Sequence, residues 1–167
     1  MEMKDHKEFR TSYLRYSSIS ELPAQEKELL EAATRACEMA YAPYSRFFVG
    51  AAIRTGSGQV ITGANQENAS FPIGACAERV AVYQLKMKHP GEIVSAIAIT
   101  AKLTNRKIAE PVSPCGSCRQ ILVELEREQK SPIRLILRGS EGPVIIFEKA
   151  LDLLPFSFNP DVFLTGM

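Results

Sequence analysis

The residues from Ile93 to Thr100 form an almost wholly apolar run. A run so short and unbroken reads as a strand buried on both faces, which requires other elements packed above and below it. The neighbouring segments can supply those layers. From Glu26 to Tyr41 the apolar positions Leu29, Leu30, Ala33, Ala36, Cys37, Ala40 and Tyr41 recur at helical spacing. Pro23 stands where a first helical turn tolerates it, and Pro43 ends the helix. Residues Phe47 to Thr55 and Gln59 to Asn65 flank Gly56-Ser57-Gly58, which predicts a β-hairpin with a three-residue loop. A second helix is predicted from Ala75 to Lys88, stopped by His89-Pro90-Gly91, and a third from Pro114 to about Gln129. Ile133 to Leu137 and Val144 to Phe147 complete the strands, and a helical turn around Lys149 to Leu154 leads into the tail Phe156-Ser157-Phe158-Asn159-Pro160. The order helix, hairpin, helix, strand, helix, strand, strand predicts α/β layers on a mixed sheet.

A chain of 167 residues fits one domain with a sizeable core. Residues 1–22 differ from the rest, being charged and hydroxylated with aromatics at Phe9, Tyr13 and Tyr16. They read as an N-terminal extension with room for one edge strand, leaving 23–167 as a single catalytic domain. The balance of 20 basic against 19 acidic residues argues against a protein that coats nucleic acid, which carries a clear basic excess. The N-terminus is charged from the start, and no stretch approaches the roughly 20 apolar residues of a membrane span. The expectation is a cytoplasmic chain without a membrane partner. Its four cysteines are then thiols or metal ligands rather than a disulfide framework.

Two segments carry the chemistry: Cys76-Ala77-Glu78-Arg79 and Pro114-Cys115-Gly116-Ser117-Cys118-Arg119-Gln120. Each lies at the start of a predicted helix. Cys115 and Cys118 can bind one metal from a single turn, and Cys76 can supply a third thiolate. Three protein ligands leave the fourth tetrahedral position of zinc open to water, the arrangement of a catalytic site. Cys37 lies in the apolar stripe of the first helix and reads as core. Three thiolates around Zn²⁺ sum to one negative charge, which weakens the ion towards its water. Helix N-termini offset this, and Arg79 and Arg119 are candidates to donate to the thiolate sulfurs.

Either segment alone is ambiguous. A C-x-x-C pair also occurs as a redox dithiol or half of a structural zinc site, and Glu or Arg at a helix start is often a solvated cap. Together, in this order and with Pro directly before the pair, they match the zinc-deaminase signature H-x-E followed by P-C-x-x-C, with cysteine in place of histidine. Glu78 then takes a proton from the water on the metal, protonates N3 of a cytosine ring and helps deliver a proton to the departing amine.

With these residues the chain resembles the small, homotetrameric class of cytidine deaminases, over about Leu29 to Pro160. The resemblance includes Ala42-Pro43-Tyr44-Ser45-Arg46-Phe47, Val49-Gly50-Ala51-Ala52, Gly63-Ala64-Asn65-Gln66-Glu67-Asn68-Ala69, the two cysteine segments and Leu153-Leu154-Pro155. It implies one zinc per chain on Cys76, Cys115 and Cys118, with Glu78 catalytic. It also implies that Asn65 and Glu67, alternating on one strand face, hold the ribose hydroxyls, and that Phe47 packs beside the nucleoside. Phe158 resembles the aromatic that covers the base, in a neighbouring subunit's site. The implied fold is three-layered, a five-stranded mixed sheet between helices, in a homotetramer whose sites are completed across subunits. The implied activity is deamination of free cytidine and deoxycytidine in pyrimidine salvage, with no nucleic acid polymer as partner. Phe48, Gln66 and Asn159 depart from the usual pattern of the class. The rival readings are the same chemistry on another aminated pyrimidine such as blasticidin S, deamination of a polynucleotide, a non-catalytic zinc protein and a thiol redox protein.

Overall fold

The computed structural model describes residues 5–160. The apolar run expected to be doubly buried is β4 (Val94–Leu103), and it sits inside a mixed six-stranded sheet. The sheet is ordered β1 (Leu14–Tyr16), β6 (Val144–Phe147), β5 (Arg134–Arg138), β4, β2 (Phe47–Thr55), β3 (Val60–Ala64). Only the β4–β5 pair is parallel, joined by the crossover that contains α3 (Gly116–Gln129).

Alternation along the strands sorts side chains by size. Ala52, Ala96, Ala98 and Ile136 face one side, where α1 (Ala24–Ala36) lays Leu29, Leu30 and Ala33 against them. Ile53, Ile97, Ile99, Leu135 and Leu137 face the other, packed by α2 (Ala77–Lys88) and α3. Small residues under α1 let that helix approach closely. A Cβ built at Gly50 would stand 2.0 Å from the Ala33 carbonyl oxygen, so only glycine fits. The result is three layers, helix–sheet–helix, as expected.

The strand count is the correction: six, not five. The additional strand is β1, from the segment read as an extension. It pairs antiparallel with β6, Leu14 opposite Ile146 and Tyr16 opposite Val144. Leu22 is buried, and Tyr16 and Ile19 pack against the α1 core. The β6 edge is Val-Ile-Ile-Phe, an apolar strand that favours cover on its open side. The first helix ends earlier than its apolar periodicity suggests, passing into a 3₁₀ turn at Cys37–Met39. Cys37 is buried there, and burial pushes its thiol up to about 11, as suits a core residue.

Candidate active site

The two cysteine segments meet because two helices begin side by side. Cys76 is the N-cap of α2 and Cys115 the N-cap of α3, both with extended backbone, and Cys118 lies in the first turn of α3. The Sγ atoms of Cys76 and Cys115 are 3.8 Å apart, and those of Cys115 and Cys118 3.5 Å apart. All three sulfurs lie within 4.8 Å of one another. Ligands about 2.3 Å from a tetrahedral zinc ion stand about 3.8 Å apart, so the spacing and the donor set fit one zinc. Among the described residues no fourth Cys, His, Asp or Glu joins the cluster, which leaves a position for water or substrate.

The trio is graded in exposure. Cys118 is buried, Cys76 half-buried and Cys115 exposed, so its open side faces the neighbouring cavity. That cavity, about 640 Å³, is lined by Cys76, Glu78 and Cys115 at its metal end. The Cys76 thiol is lowered to about 6, first by hydrogen bonding from Cys118, then by Cys115 and the Arg79 guanidinium. The same bond, seen from its donor, raises Cys118, and burial adds to it. The balance of these contacts favours the thiolate at Cys76 over Cys118. Glu78 is 4% exposed, and burial raises its carboxyl above the ordinary range, with the Cys76 charge adding to the effect. A raised carboxyl is a stronger base than an ordinary one, which suits a group that must take up a proton and give it back.

Position matters as much as charge, and β3 sets it. Gly63 abuts α2 so closely that a Cβ there would stand 2.4 Å from the Ala77 carbonyl oxygen. Beyond β3 the chain runs Asn65, Gln66, Glu67, past the strand end rather than on a strand face as the sequence suggested. There Gln66 pairs by both backbone groups with Ala75, the residue before Cys76. The polar end of the cavity is thereby tied directly to the metal end.

Asn65 and Glu67 both line the cavity, as does Phe47. Both polar side chains are held from β2 and the loop before it. Asn65 accepts from Val49 N–H through Oδ1 (2.7 Å) and donates to the Phe47 carbonyl through Nδ2 (2.9 Å). Glu67 accepts from the backbone N–H of Tyr44 and Ser45 and from the Ser45 hydroxyl, which holds it ionised below the usual carboxylate range. Asn65 keeps one amide N–H to give, and Glu67 keeps lone pairs to accept.

The arginines diverge. Arg79 donates to the Gly74 carbonyl, and its guanidinium helps lower the Cys76 thiol. Arg119 instead gives Nε to the Pro114 carbonyl (2.9 Å) and Nη1 to that of Leu153 (3.2 Å). Phe158 is 67% exposed and is not among the described residues that line the cavity. Sequence reasoning missed Ser45 as the holder of Glu67, and missed Phe71, Val112 and Ser113 in the wall. Adjacency to Pro114 was the available signal for Ser113.

Residues 23–131 match the cytidine and deoxycytidylate deaminase zinc-binding region. The chain belongs to this family. It is 48% identical over 133 residues to a cytidine deaminase of Halalkalibacterium halodurans, covering 80% of this chain and 93% of that one. Among solved structures it is similar to the cytidine deaminase of Burkholderia pseudomallei, with a TM-score of 0.68 and 42% identity over 78% of this chain and 97% of that one. The cytidine deaminase of Mycobacterium tuberculosis superposes with a TM-score of 0.61 and 32% identity over 79% and 95% of the two chains. The α/β deaminase fold and the single zinc site on Cys76, Cys115 and Cys118 follow.

Proposed function

We propose that the chain is a hydrolase that converts free cytidine and deoxycytidine to uridine and deoxyuridine with release of ammonia. The observation that carries this reading is one cavity lined both by Cys76, Cys115 and Glu78, with Cys118 completing the thiol trio beside it, and by the Asn65/Glu67 pair. When bound, zinc supplies Lewis acidity, making water acidic enough to act as a nucleophile near neutral pH. Glu78 takes the proton of the water that adds to C4 of the ring and passes it to N3. The remaining water proton then goes through Glu78 to the amino nitrogen, and C4–N cleavage expels ammonia and restores a carbonyl at C4. Arg79 holds Cys76 as a thiolate beside the ligand trio, and Arg119 braces the second segment from behind. Phe47 forms the wall along the nucleoside, and the Asn65 donor and Glu67 acceptor suit the ribose hydroxyls.

The cavity also favours a nucleoside over a nucleotide. No Lys, Arg or His is among its described lining residues, while Glu67 is ionised there. A phosphate would meet a carboxylate with no cation to pair it. Cytidine and deoxycytidine should therefore lose their absorbance band with the purified protein, and deoxycytidylate should not. Faster turnover of the nucleotide would overturn the reading.

The oligomer in this account is a homotetramer whose copies complete one another's sites. Tyr44 and Phe71, which line the cavity, and Ile73 and Phe158 are exposed apolar residues that a second copy would cover. Light scattering on the eluting protein tests this, a monomer at micromolar concentration being the contrary result. Residues 23–167 would form the catalytic domain, with 1–22 as its extension. No helix among the described residues is long and apolar enough to cross a membrane. The proposal places the chain in cytoplasmic pyrimidine salvage.

A further inference from the structure

The first turn of α3 does more than end in a metal ligand. Its two residues after Cys118 both reach the C-terminal segment. Arg119 bridges two carbonyls, that of Pro114 next to ligand Cys115 and that of Leu153 in the 3₁₀ turn Ala150–Leu153. Gln120 closes a two-bond pair with the backbone of Phe158, donating to its carbonyl (2.9 Å) and accepting from its N–H (3.0 Å). The 3₁₀ turn is in turn fixed to α3. Glu126 accepts from Ala150 N–H (2.6 Å) and Leu151 N–H (3.1 Å), and from Ile133 N–H (2.8 Å) at the start of β5. Leu151, Leu153 and Leu154 pack on the core beneath.

We infer that this turn of α3 is a clasp through which the C-terminal segment holds the zinc loop, and that Arg119 is a positioning residue for Cys115. The chemistry suits arginine. Its planar fork reaches two acceptors in fixed directions, whereas a lysine ammonium offers a point charge on a flexible stem. Pro114 has no N–H, so its carbonyl is the only backbone polar group by which that residue can be held. Arg119 thus stiffens the peptide that sets where the exposed ligand Cys115 stands, without touching a sulfur itself. Cys118, within the helix and buried, needs no such brace.

The inference rests on the reading that the three thiolates hold zinc, and zinc release separates the two. Wild-type, R119K, R119Q and E126Q proteins are loaded with one zinc and mixed with the chromogenic chelator 4-(2-pyridylazo)resorcinol. Thermal unfolding of each metal-loaded protein is followed in parallel. Loss of a partner that orients a ligand typically weakens metal binding by about 10–100-fold. Acting through a carbonyl, R119Q should release zinc about 10-fold faster than wild type, and R119K nearly as fast as R119Q. E126Q, which loosens the anchor only, should fall between, and E126Q/R119Q should release no faster than R119Q alone. R119Q or R119K releasing zinc at the wild-type rate overturns the inference, as does an additive double variant. A fall in melting temperature without faster release makes Arg119 an ordinary packing residue and overturns it too. Wild-type protein that retains no zinc overturns the reading beneath it.

Discussion

Gly63→Ala perturbs the site without changing any residue that touches substrate or metal. The added Cβ would stand 2.4 Å from the Ala77 carbonyl oxygen and 2.5 Å from the Ala81 nitrogen, both backbone atoms of α2. Ordinary non-bonded contacts lie near 3.5 Å, so the start of α2 must withdraw from β3 by about 1 Å. Cys76 and Glu78 ride on that end of the helix. A misplacement of about 1 Å can cost about 100-fold in rate, and kcat/KM for cytidine should fall by that order. Overpacking a core costs about 1–3 kcal/mol, offset by the few tenths to about 1 kcal/mol that alanine gains over glycine in the unfolded chain. In a domain of this size each kcal/mol moves the melting temperature by about 2–4 °C, so a fall of a few degrees accompanies the loss of rate. Gly50→Ala provides the contrast. It crowds the Ala33 carbonyl and the Cys37 nitrogen on the α1 side, and so should lower the melting temperature while sparing turnover well below it. Steady-state kinetics and thermal unfolding of both variants read the difference. Gly63→Ala protein with wild-type turnover would show that β3 does not set the position of α2, and the reasoning would fail.

Arg79→Ala should lower turnover more than zinc content, because the guanidinium favours the Cys76 thiolate without binding metal; equal losses in kinetics and metal analysis would contradict this. Glu67→Gln turns a charged acceptor, worth about 1.5–3 kcal/mol, into a neutral one worth about 0.5–1.5 kcal/mol, so kcat/KM for cytidine should fall by about 10-fold. An unchanged value would remove Glu67 from the sugar subsite. Burial raises Cys37 to about 11, so its thiolate forms only above that pH. After zinc is chelated, iodoacetamide at pH 8 should label Cys76 and the exposed Cys115 and leave buried Cys37 until the chain unfolds, as peptide mapping would show.

The ligand trio was legible in the sequence because ligand geometry restricts spacing: Cys115 and Cys118 share a helix turn, and Cys76 needs only a second helix start beside it. The central strand was legible because a doubly buried strand has no polar face to obscure it. What escaped was long-range pairing. Nothing local in Leu14–Tyr16 names β6 as its partner, since the pairing depends on where an apolar edge lies open in the folded sheet. The reach of Arg119 likewise depends on Leu153 being folded back against α3, so its carbonyl partners were invisible and thiolate sulfurs were expected instead. Asn65 and Glu67 were found by motif, but their fixed orientation comes from Val49, Phe47, Tyr44 and Ser45 across the hairpin.

The central claim is that Glu78 moves the protons of a hydrolysis at a zinc held by Cys76, Cys115 and Cys118. Its most direct test is the Glu78→Gln variant, with zinc content and cytidine turnover measured on the same preparation. General acid–base catalysis contributes about 10²–10⁴-fold, so the variant should keep about one zinc per chain and lose at least that much in kcat. A Glu78→Gln protein that deaminates cytidine at the wild-type rate would contradict the account, as would a wild-type protein that does so without zinc.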